Sequence, residues 1–215
     1  MLDFTSRLFG PFGTEAKHSL GRDRDHAVLP SLGMTAGTRV ATSIGWRPVE
    51  AVIPGDRVLT FDCGLREVVS VERCTVFEPC PKKLWPLRVP AGVLGNTEAM
   101  IVLAEQPVLL EADCAEDLFG DPFVLVPAMA LEGHRGIERV APGEIDSVIA
   151  LHFAADQVVF VNSGGLFFCP MDKSRGLESL LSDECSQTYV TLPMDLSRDL
   201  VKLIDREAMA MGATA

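Results

Sequence analysis

The groups in this chain with the widest chemical reach are its thiols, its imidazoles and a few hydroxyls. Cysteines stand at Cys63, Cys74, Cys80, Cys114, Cys169 and Cys185, and histidines at His18, His26, His134 and His152. A thiolate is both a potent nucleophile near neutral pH and a soft metal ligand. The spacing favours neither use. No Cys-x-x-Cys pair occurs and no histidine lies beside a cysteine, whereas zinc sites draw their ligands from short, repeated intervals. We therefore expect no metal and no cofactor. An even number of cysteines would permit three disulfides, but a 215-residue chain that is 47% apolar can fill a core without them. The expectation is of mostly free thiols in a cytoplasmic protein.

The elements that must hold these groups read as short strands. "TRVAT" gives way at Ser43–Gly45, where Gly45 can take the positive φ of a three-residue hairpin loop. "WRPVEAV" follows, then a turn at Pro54–Asp56, then "RVLTF" and a second hairpin signal at Asp62–Gly64. "EVVSVERCTVF", "PLRVP", "AMIVLA", "PVLLEA", "FVLVPAMAL", "IDSVIALHF" and "QVVFVN" continue the pattern. Pro48 and Pro107 argue for edge or bulge positions, because proline cannot donate to a ladder. So many short runs broken by turns predict an all-β domain.

The two ends differ from this. Residues 1–31 mix Gly, Pro, Arg and Asp without a period and read as a flexible segment. Residues 171–215 read as a helical extension. Leu196, Leu200, Leu203, Ile204, Ala208 and Met211 fall on one stripe of an amphipathic helix, with Asp195 as N-cap. That stripe fits packing on the β domain, and it equally fits a helix that binds an unknown protein partner. "SRGLESLLSDE" suggests one more helical turn.

Composition removes several classes. A formal charge of −11, with no dense basic run, argues against nucleic acid, whose affinity rests on Lys and Arg neutralising phosphates. No apolar stretch reaches the 18 or so residues of a membrane span, and the first residues lack a signal-peptide core.

Taken in order, these segments resemble a known family. "AGTRVATSIGWRPVEAVIPGDRVLTFD", "LRVPAGVLGN", "MIVLAEQPVLLE", "LFGDPFVLVPAMALEGHRGI" and "IALHFAADQVVFVNSG" resemble the hedgehog/intein (Hint) domain, in a form found in many bacterial proteins. The resemblance runs over residues 32–170 and implies a fold of elongated, pseudo-symmetric hairpins.

It also implies an activity, self-cleavage through an acyl shift. In active relatives a cysteine at the domain's first position attacks the carbonyl before it. A second-motif histidine helps the amide nitrogen leave, general acid work worth about 10²–10⁴ in rate. The residues matching those positions here lack the groups. Gly33 stands where the cysteine belongs, and Pro107 where the second-motif histidine belongs, after Ala104, Glu105 and Gln106. Asp156 stands in place of a late-strand histidine, with His152 four residues earlier and, by alternation, on the same face.

The expectation is of no catalytic residues. The domain would be silent in self-processing and act as a binding or interaction module. The alternative is self-cleavage through a non-standard nucleophile, Ser31 or Thr35.

Overall fold

The computed structural model of the chain describes residues 30–75, 80–172 and 189–212. Most of the expected N-terminal segment, the helical turn in "SRGLESLLSDE" and Cys185 lie outside the described residues.

The first strands are β1 (Met34–Thr35), β2 (Arg39–Thr42), β3 (Gly45–Pro48), β4 (Arg57–Thr60), β5 (Gly64–Glu67) and β6 (Ser70–Thr75). After them come β7 (Leu87–Val89), β8 (Met100–Val102) and β9 (Pro107–Glu111). A short helix, α1 (Asp113–Phe119), precedes β10 (Phe123–Pro127) and β11 (Glu138–Arg139). The set closes with β12 (Ser147–His152), β13 (Gln157–Val161), β14 (Gly165–Cys169) and helix α2 (Met194–Gly212).

Two sheets result, and the strand pairs in both are antiparallel. One has the order β11-β7-β8-β1-β12-β6, the other β10-β9-β14-β13-β2-β4-β5, with β3 paired to β2. The two-residue strand β1 sits inside the first sheet, with Met34 opposite both Ile149 and Val102. The core is built from aliphatic side chains of both sheets, among them Val40, Val58, Leu87, Val102, Ile149 and Val159.

The hairpins at Ser43–Gly45 and Asp62–Gly64 form as expected, though the first closes with Thr42 opposite Gly45 and has only two loop residues. The Pro54–Asp56 turn forms with Gly55 at φ +93°, yet it leads from a 3-10 turn (Val49–Ala51) into β4 and joins no hairpin. Pro48 ends the edge strand β3 and Pro107 opens β9, where a missing N–H matters least.

Three readings need correction. Within "EVVSVERCTVF", Glu67 ends β5 in one sheet and Ser70–Thr75 form β6 in the other, because the chain crosses between sheets at Val68–Val69; its last two residues lie outside the described residues. Helix α1 was not anticipated; Asp113 and Glu116 favour its first turn and Gly120, at φ +80°, stops it. Helix α2 opens at Met194, so Asp195 lies in the first turn and is not the N-cap.

The thiols divide. Cys74, Cys80, Cys114 and Cys169 are free, which agrees with the expectation, but Cys63, in the β4–β5 turn, is disulfide-bonded. Among the described residues no helix is long and apolar enough to cross a membrane.

Candidate functional site

Gly33 immediately precedes β1 and lies against β12. Its φ of +133° is one that L side chains rarely adopt. A Cβ built there would lie 2.6 Å from Val148 Cγ1 and 3.1 Å from the Ile149 carbonyl oxygen, both on β12. The space a side chain would need is thus already taken by β12.

The Gly33 N–H, the nitrogen that would leave in an acyl shift, donates to Gln106 Oε1 at 2.8 Å. Gln106 is 1% exposed. Its Nε2 donates to the carbonyls of Pro107 at 3.0 Å and Phe168 at 2.8 Å. The turn that carries it is pinned by Ala128 N–H to the Gln106 carbonyl, 2.9 Å, and Met129 N–H to the Ala104 carbonyl, 2.7 Å. One buried amide therefore ties together the start of β1, the start of β9 and the end of β14. Its oxygen accepts the proton of the Gly33 nitrogen and has none to give.

Pro107 is buried opposite Pro127 in the β9–β10 ladder. Asp156 lies in the bend between β12 and β13, where its Oδ1 accepts the Met171 N–H at 2.9 Å. The strand ends before it, so the period-two argument that put it on a face with His152 does not hold. His152 closes β12 instead, its Nε2 3.8 Å from Glu72. Neither of its ring nitrogens has a hydrogen-bond partner among the described residues. The two are not joined into a polar pair.

Of the two substitute nucleophiles, Ser31 is exposed and donates to the Glu105 carboxylate. Thr35 is buried and donates to the Ile101 carbonyl at 3.0 Å. Among the described residues no group of three or more His, Cys, Asp and Glu could hold a metal ion.

Gln106 is the residue that sequence reasoning passed over. It was visible only as a neighbour of Pro107, and nothing local signals its burial.

The geometry defines an all-β domain of two antiparallel sheets, with Gly33 and Pro107 tied through Gln106 at the start of β1 and Asp156 held apart in the β12–β13 bend. The Hint domain family matches residues 32–165, and the chain belongs to that family. Among solved structures it is similar to the AceL NrdHF class 3 split intein, in a GSH-linked, splice-inactive variant. The identity is 14%, the TM-score 0.39, and the match covers 65% of this chain and 98% of that one. A bacterial intein-like domain from Clostridium thermocellum matches at 14% identity and a TM-score of 0.40, over 63% of this chain and 96% of that one. The gp41-1 intein matches at 13% and 0.41, over 64% and 97%. No curated protein matches the chain.

Proposed function

We propose that this Hint domain no longer performs the acyl shift of its family and serves as a binding or interaction module. The observation that carries the reading is the state of position 33. The residue there has no side chain, its φ disfavours one, and its nitrogen is bonded to an amide oxygen that cannot protonate it. An acyl shift needs an attacking group and a proton for the departing nitrogen. Residues 32–170 would form the module, and residues 171–215 an extension docked on it through α2.

The test is direct. Incubated with dithiothreitol or hydroxylamine, which intercept thioesters, the protein should stay a single species of 215 residues by mass spectrometry. Fragments broken at Gly33 would end this reading.

The Ser31–Glu105 hydrogen bond favours one alternative, self-cleavage through the Ser31 hydroxyl. It requires a fragment broken before Ser31 that disappears in Ser31→Ala. Water has access to the exposed pair and competes for both partners, so we place it second.

A further inference from the structure

Away from position 33, a cavity of about 420 Å³ opens between the β4–β5 turn, α1, β10 and the segment Tyr189–Leu192. Four aromatic residues line it: Phe61, Phe119, Phe123 and Tyr189. Phe61 and Phe123 meet edge to face, with centroids 4.9 Å apart. Tyr189 rests on Phe168 in the same manner at 6.0 Å.

Two acidic residues join them, Asp62 and Asp121, and among the described residues no Lys, Arg or His lines the space. The Tyr189 hydroxyl donates to Asp62. Burial first, and then the Asp62 carboxylate, push the phenol well above its ordinary value, so it stays a neutral donor. Asp121 accepts the Phe123 N–H through one oxygen at 2.8 Å.

We propose that this cavity binds the alkylated ammonium head of a small molecule, such as a trimethylammonium group. Aromatic faces carry negative partial charge and attract cations that approach them closely. A bare ammonium has N–H groups that must be satisfied when it leaves water. A methylated one has none, and its methyl groups suit the apolar wall that Leu109 and Leu125 add. The Asp121 carboxylate and the net charge of −11 supply attraction at longer range. The inference gives a ligand class to the binding module proposed above and rests on that reading.

Calorimetric titration with tetramethylammonium, choline and 3,3-dimethyl-1-butanol, the uncharged carbon isostere of choline, tests it at low ionic strength. Both cations should bind in the millimolar range or tighter, and about tenfold more tightly than the alcohol. Phe119→Leu removes an exposed ring. Asp121→Asn removes a charge while keeping an acceptor for the Phe123 N–H. Each should weaken the cations severalfold and leave the alcohol nearly unchanged, in variants with a wild-type melting profile. Equal affinity for cation and alcohol, no binding of either cation, or folded variants that bind as wild type would overturn the proposal. So would a trimethyllysine peptide that binds where free choline does not. Intact mass of the same samples reads self-cleavage separately, so a lost ligand and a lost silent domain give different records.

Discussion

A cysteine at position 33 would need a backbone at φ +133° and would press its Cβ against Val148 and the β12 backbone. A side chain held in such a region costs about 1–3 kcal/mol before any clash is counted. Gly33→Cys should therefore lower the urea midpoint and yield no fragment on hydroxylamine treatment. Adding Val148→Ala should recover the steric share of the loss and leave the conformational share. Cleavage in the single variant would show that the backbone relaxes to its relatives' geometry after all. Gln106 is the second residue on which this corner depends. In Gln106→Leu the Gly33 N–H and the Phe168 carbonyl lose their partner, and a buried polar group so stranded costs about 1–3 kcal/mol. Urea unfolding should show a loss of at least about 2 kcal/mol, and a loss below about 0.5 kcal/mol would remove Gln106 from its structural role. Gly33, Pro107 and Asp156 are singled out in the sequence by the motifs that flank them. The importance of Gln106 was not legible there, since its partners lie 73 and 62 residues away along the chain.

At the scale of elements, α2 shows what a periodic pattern does and does not convey. The helix and its amphipathic character were legible from the spacing of its leucines. The face it buries is rotated slightly from the expected stripe: Leu200, Leu203 and Ile204 of that stripe pack on the core, Ser197 and Val201 from outside it are buried with them, and Leu196 is 47% exposed. Contacts with the 3-10 turn Ala128–Leu131, with α1 and with β10 set that rotation, and none of them is local in sequence. One polar clamp adds to the packing. The buried His134 meets Asp205 of α2 through Nδ1 and Oδ1 at 2.7 Å. Asp205→Ala strands that imidazole and should cost about 1–3 kcal/mol, read as a lower melting temperature. Leu200→Ala should cost about 2–5 kcal/mol. If both variants melt as wild type, α2 is not docked in solution, and its apolar face is free for a partner.

For the whole molecule, the thiols report on how tightly the sheets close. Cys74 is exposed and should alkylate first, while Cys169 is fully buried on β14. Burial pushes the Cys169 thiol from an ordinary value near 9 to about 12. In the unfolded chain the group ionises near the lower value, so from about pH 9 to 12 unfolding releases a proton and stability falls as pH rises. Below that window the thiol is neutral in both states and contributes nothing. Cys169→Ala should flatten the stability profile between pH 9 and 11, and an unchanged slope would contradict the burial. Under denaturation without reductant, Cys63 should stay unlabelled until its disulfide is reduced. That bond was not legible, because spacing says nothing about which turns meet. Strand existence was legible from alternation and turn residues, whereas sheet membership was not, as the split of "EVVSVERCTVF" shows.

The place of β1 has a consequence for how the molecule is made. Its partner β12 enters the chain more than a hundred residues later, and β2 likewise waits for β13, where Val40 pairs with Val161. A nascent chain leaving the ribosome therefore carries two incomplete sheets until its last strands emerge. The first sheet is incomplete until β12 has emerged, at residue 152, and the second until β14 has, at residue 169. Folding of the domain waits for β12–β14, and pairings of such long range are slow to find.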